Sequence, residues 1–450
     1  MSTTIIAPVH DRLPPGPKGS LIGGNLSQIG ERRVDFFLEL AREYGPVASF
    51  RVGRMRLFLV SDPELIQQVL VTDARSYIKH FGARTFKPVL GNGLVTSEGD
   101  FWLAQRRLLQ PAFLKAQVHS SAPVMAEITE TALERWTPGK SVNVEFEFSS
   151  MTSAIALKTL FGLDDHGDRE QVDQSLRLAF QMLTARLDKT FQFPIALPTP
   201  ANFKLRRAIA DVKRVVDGFI AQKRAQPLGN DLLSTMIAAQ REDGTRMSDG
   251  QLRDEAMTLY LAGHETTALT LTWSWYLLSQ NPEAERKLVE EWRRVLNGRT
   301  PRASDLAVLP YTSAVISESM RLYPPVYVIG REATTDLELG GYRVKRGYTI
   351  LMSQWVNHRD PKYFPEPERF LPERWLDGLA SRLPKFAYYP FGGGQRLCIG
   401  SHFAIMEAVI VLAAVGQKFK FTLDPGAVID ILPQITMPPK YGMPATLERR

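Results

Sequence analysis

The chain has 450 residues, 44% hydrophobic and 23% charged, so it can bury a large core and is neither a disordered segment nor a low-complexity array. Its 55 basic and 48 acidic side chains leave a net charge of +7, but no basic cluster or nucleic-acid motif accompanies the excess, and we expect no nucleic-acid partner. A single cysteine, Cys398, excludes a structural disulfide within the chain.

The first segment, 1–12, reads as a flexible N-terminus. Its apolar patch, Thr4–Val9, is far shorter than the roughly 20 residues a membrane span needs and lacks the core of a signal peptide. We therefore expect no transmembrane anchor and a cytoplasmic location. The rest, 13–450, reads as one domain, because the motifs that must meet at one site are spread from Trp102 to Cys398. Short strands are expected at Val47–Val52, Arg56–Val60, Val344–Met352 and Ile435–Leu447, around a body of helical patterns. That is a mainly α fold with a small β region (α+β).

Along this body, Trp102-Leu103-Ala104-Gln105-Arg106 places an indole ring and a guanidinium one helical turn apart. From Gln251 to Gln280 there is no proline; Ser248 precedes the run as an N-cap, and Asn281-Pro282 closes it and starts the next helix. Such a helix is about 45 Å long. Its middle, Ala262-Gly263-His264-Glu265-Thr266-Thr267, opposes helix propensity. The Thr266 hydroxyl can bond back to a carbonyl one turn earlier and loosen the ladder, and Glu265 beside it forms a carboxylate–alcohol relay for protons. His264 reads as a neighbour-bonded helix residue. Glu318 and Arg321 share a helix face at i and i+3, and Arg369 follows within Pro365–Phe370. Arg331 falls on an expected strand after Pro324, and His358 in what reads as a surface loop.

The most specific signal is Phe391-Gly392-Gly393-Gly394-Gln395-Arg396-Leu397-Cys398-Ile399-Gly400. Its glycines permit a tight loop against a flat ligand, Arg396 can pair with a carboxylate, and a helix over Ile399–Val415 would aim its N-terminal amides at the sulfur. A thiolate is one of the few axial ligands that lets haem iron cleave O–O bonds.

In this order, from Pro14 to Pro444, the motifs resemble the cytochrome P-450 family, the haem-thiolate monooxygenases. The resemblance implies the P-450 fold, a triangular helical body around a buried haem b whose iron is bound by Cys398. By the same resemblance Phe391, Gly392 and Gly400 cradle the haem, while Arg396, Trp102, Arg106, Arg331 and His358 meet its edge. Thr266 and Glu265 match the family's acid–alcohol pair in O2 activation, and Glu318, Arg321 and Arg369 its structural triad. By the same resemblance the haem-facing wall is expected to include Val95, Ala262, Thr266, Val326, Val328 and Ile435, with Phe86 and Val89 near the entrance, all apolar but Thr266, for a small hydrophobic substrate.

The hexad Ala262–Thr267 is similar to that of self-sufficient fatty-acid hydroxylases, although the first hairpin carries Arg54 with Phe58 in place of a tyrosine. Long-chain fatty acids are therefore placed ahead of terpenoids and steroids. With no fused reductase expected, electrons would come ultimately from NAD(P)H through a ferredoxin or flavodoxin-type partner and its reductase, which the positive charge suits, and a monomer is expected. The alternatives are a peroxide-driven peroxygenase, a branch that replaces the acid–alcohol pair, and a non-catalytic haem sensor or carrier, which needs no relay.

Overall fold

The first hairpin forms where alternating apolar runs place it, as β1 (Val47–Val52) and β2 (Met55–Val60), turned at Gly53 with φ of +55°. The structure, a computed structural model, describes residues 12–164, 168–187, 194–239 and 246–450, so all of the 1–12 segment but Arg12 lies outside the described residues. The strands that follow are β3 (Tyr77–Lys79), β4 (Ser141–Asn143), β5 (Ile329–Ala333), β6 (Leu337–Leu339), β7 (Tyr342–Val344), β8 (Thr349–Met352), β9 (Phe419–Leu423) and β10 (Pro444–Arg449). They assemble as a five-stranded sheet β1-β2-β8-β5-β3, a three-stranded sheet β4-β10-β9 and the β6-β7 hairpin. In the large sheet Arg331 lies opposite Lys79 on one side and Ile350 on the other, so two cations of distant sequence become cross-strand neighbours.

Two strand expectations need correction. Val344–Met352 is interrupted at Gly347, whose φ of +86° turns the chain between β7 and β8. Ile435–Leu447 is extended only from Pro444, because Pro438 and Pro439 carry no N–H to give a ladder.

The principal helices are α1 (Gly99–Leu109), α2 (Val144–Phe161), α3 (Asp168–Leu187), α4 (Pro200–Arg224), α5 (Asp249–Ser279), α6 (Pro282–Val295), α7 (Pro310–Leu322) and α8 (Ser401–Lys418). The 31 residues of α5 span about 46 Å, and Ser248 caps it by accepting from the Gln251 N–H at 3.2 Å. Pro282 opens α6 at its first turn. α8 starts two residues later than expected, with Gly400 at its N-cap, because the chain must first leave the loop that presents Cys398.

α5 packs against α2, α7 and α8, and these four make the centre of the main hydrophobic core. α8 is apolar enough by composition to cross a membrane, yet 67% of it is buried within the protein. Its Gly416 meets the Trp292 ring so closely that a Cβ would lie 2.1 Å from it, which brings α6 and α8 into direct contact.

Candidate functional site

A cavity of about 340 Å³ lies between α5, α8, β5 and the loop of residues 390–400. Cys398 opens onto it: the residue is exposed, but to the cavity. The loop holds its shape through Cys398 N–H donating to Phe391 O at 3.0 Å and Leu397 N–H to Gly394 O at 3.1 Å. Gly394, at φ +65°, passes so near the chain that a Cβ would stand 1.9 Å from the Leu70 carbonyl oxygen, and only glycine fits there. Burial pushes the Cys398 thiol up, while the Gly400 N–H and the Arg106 charge favour the thiolate.

One edge of the cavity is cationic. The Arg396 guanidinium lies 3.7 Å over the Trp102 ring and donates to Ser97 O at 3.0 Å and to the Glu98 carboxylate. Arg331 lines the same edge, and beside it Lys79 donates its Nζ to Val95 O. Burial first, then the charges of Arg396 and Arg331, push the Lys79 ammonium down to about 7. Arg106 turns instead to the cysteine loop, donating to Leu397 O at 3.0 Å. The remaining walls are mostly apolar, with Val95, Ala262 and Val326 among them as expected.

This donor set fits a haem: a thiol on a glycine loop, three cations along one edge for its carboxylates, and apolar walls between. Cys398 would hold the iron, with Phe391, Gly392 and Gly400 lining the floor and Arg396, Arg331 and Lys79 the edge.

On α5, Thr266 lines the cavity with its Oγ1 donating to Ala262 O at 2.9 Å, the back-bond anticipated from its position. Gly263 has a packing reason: a Cβ there would meet Leu160 of α2 at 3.2 Å. His264 is buried and bonds Tyr260 O at 2.9 Å, as a neighbour-bonded helix residue should.

Glu265, the neighbour of Thr266 in the expected acid–alcohol pair, stands outside the cavity wall; its carboxylate accepts from Thr436 Oγ1 at 2.7 Å, since consecutive residues point about 100° apart around a helix. Other expectations need correction. His358 is neither on the surface nor at the cavity: it is fully buried, accepts the Tyr389 N–H at 3.0 Å, and burial pushes its pKa well down, keeping it neutral. Arg369 is not the third member of the triad. Its side chain is exposed on Glu366 and only its carbonyl joins in, accepting from Arg321 at 3.0 Å. Arg374 takes that place, 3.0 Å from Glu318, whose carboxylate also receives Arg321 and the Trp375 indole.

Two wall candidates, Val328 and Ile435, lie off the cavity, Val328 against the apolar cluster under the first hairpin and Ile435 against the main core; of the two entrance candidates, Phe86 stacks on Phe180 at 5.1 Å and Val89 is sealed in the main core. Lys79, Gln354 and Thr258 line the cavity and escaped the sequence reading. Lys79 could have been found only from strand register, and neither amide atom of buried Gln354 has a partner among the described residues.

A family model described as Cytochrome P450 matches residues 14–444. Cyclooctatin synthase of Streptomyces melanosporofaciens is 37% identical over 434 residues, covering 95% of this chain and 94% of that protein. Pentalenene oxygenase of Streptomyces avermitilis is 34% identical, covering 90% of each. Among solved structures, the retinoic acid bound cyanobacterial CYP120A1 superposes with a TM-score of 0.86 at 26% identity, covering 97% of this chain and 99% of that one.

Proposed function

The chain belongs to the cytochrome P450 family and is a haem-thiolate monooxygenase, and on that footing we propose that it oxidises a C–H bond of an uncharged, largely apolar terpenoid. The observation that carries the substrate class is the distribution of charge around the cavity. Among the described residues its ionisable lining side chains are Lys79, Arg106, Arg331, Arg396 and Cys398, all on the cofactor side, so the other described walls offer no counter-ion for a carboxylate. Arg54 sits in the exposed β1–β2 turn and Phe58 inside the sheet, and neither lines the cavity. This favours terpenoids over the long-chain fatty acids that the hairpin residues had suggested. The relatives named for cyclooctatin and pentalenene support the same class.

When bound, the haem supplies O2 activation at an iron held by the Cys398 thiolate. Thr266 presents its hydroxyl to the cavity and so holds a proton where oxygen must be protonated. Glu265 takes up protons on the Thr436 side of α5 and passes them around the helix to Thr266. The apolar walls exclude water from the reacting bond.

Electrons arrive from NAD(P)H through a separate acidic ferredoxin or flavodoxin-type protein, drawn by the net charge of +7. Residues 13–450 act as one haem unit, monomeric and cytoplasmic. The test is an absorbance titration of the purified protein with cyclic terpenoids, long-chain fatty acids and steroids, after a ferrous–CO spectrum. A low-to-high-spin shift with terpenoids alone is the expected result; the same shift with fatty acids alone overturns the substrate class.

A further inference from the structure

We propose that Glu98 is the third anion of the cofactor site: together with the two carboxylates of a haem it balances Lys79, Arg331 and Arg396, positions Arg396, and lowers the reduction potential of the iron. The inference rests on the haem reading above and adds a residue that does not line the cavity.

Glu98 uses both oxygens. Oε1 accepts the backbone N–H of Lys79 at 2.7 Å and Oε2 accepts Arg396, so one side chain ties the end of β3 to the cysteine loop. The Arg396 guanidinium is thereby held on three sides, by the Trp102 ring, Ser97 O and the Glu98 carboxylate. A freely solvated ion pair would do little. Here the side chains are 15% and 29% exposed and the arginine is clamped on a ring, so the pair fixes a direction.

The charge count points the same way. The carboxylates a haem would bring to this edge, like Glu98, favour protonated Lys79 against the burial and repulsion that lower it, and with Lys79 charged the three cations exceed the two haem carboxylates by one unless Glu98 is included. Glu98 opposes the repulsion that Arg396 and Arg331 exert on Lys79. Arg106 belongs to a separate pairing, since it lies beside Cys398 and its thiolate. An anion at this edge stabilises the oxidised iron relative to the reduced one, which lowers the potential.

The midpoint potential of the haem-loaded enzyme, read by spectroelectrochemistry, tests this. Glu98→Gln should shift the potential upward, Glu98→Asp should stay at the wild-type value, Lys79→Gln should shift it downward, and the double variant E98Q/K79Q should return close to wild type. A Glu98→Gln potential equal to wild type, or a Glu98→Asp shift as large as that of Glu98→Gln, would overturn the proposal. Should Glu98→Gln not load haem, the comparison of E98Q/K79Q with Lys79→Gln decides, because equal potentials in those two variants contradict a role for Glu98. The wild-type ferrous–CO spectrum separates the two levels: without a thiolate-type band the haem reading fails, whereas a normal band with unmoved potentials refutes Glu98 alone.

Discussion

Glu318 is fully buried, and among the described residues its carboxylate is stabilised by Arg321, Arg374, the Trp375 indole and the Leu371 N–H. Removing one partner of such a pair strands a buried charge, so Arg374→Ala should destabilise by about 3 kcal/mol in urea unfolding. Arg369→Ala, on an exposed pair, should change stability by less than about 0.5 kcal/mol. Equal losses for the two variants would restore Arg369 to the triad. Thr266 belongs to a different kind of experiment, because among the described residues its hydroxyl bonds only within its own helix and its loss leaves no buried group unpaired. Thr266→Ala should therefore keep the fold and the thiolate spectrum while product formed per reducing equivalent falls by on the order of 10²-fold, the usual size of a proton-transfer contribution. The missing electrons should appear as peroxide, assayed directly; undiminished coupling would remove Thr266 from the relay.

At the scale of elements, the loop before α1 is held to α5 by two neighbouring acids. Asp254 accepts the Asn92 N–H at 2.7 Å, and Glu255, fully buried, accepts the Leu94 N–H at 2.8 Å and Gln251 at 3.0 Å. Burial, outweighing those hydrogen bonds, raises the Glu255 carboxyl to about 7 from an ordinary value of 4.5. The folded chain then keeps a proton that the unfolded chain has released, so this group makes stability fall as pH rises from 4.5 towards about 7, and the penalty is complete above that. Glu255→Gln should raise the melting temperature by about 3 °C near pH 8 and leave it almost unchanged near pH 4.5. A gain of equal size at both pH values would show that ionisation is not the cause.

The same elements show what a sequence can carry. α5 was legible to within about two residues because caps, prolines and an uninterrupted run are local signals. The cysteine loop was legible because one thiol and three consecutive glycines have few other uses. Lys79 was not, because its partnership with Arg331 exists only through the β3–β5 register. Nor was the choice between Arg369 and Arg374, five residues apart on an irregular segment whose turns decide which side chain points inward. Glu265 and Thr266 were legible as neighbours, but whether both face one cavity depends on the rotation of the helix against its surroundings.

For the whole molecule, the net charge of +7 makes electron delivery sensitive to salt. With an acidic ferredoxin as donor, the second-order rate of iron reduction should fall several-fold as ionic strength passes through about 0.1 M, where the screening length drops to about 10 Å. A rate indifferent to salt would exclude electrostatic docking. α8 has a further consequence, which concerns the order of assembly. Its apolar surface is covered mainly by the helix Ala122–Leu133 and by α5, α6 and α7, all of which precede it in the chain. During synthesis from the N-terminus those helices are made while the groove they leave between them is still open, and α8 arrives afterwards to fill it, carrying the cysteine loop at its leading end. Docking of α8 therefore buries its apolar surface and delivers the iron ligand in one step, and β9 and β10, made later, complete the core around it.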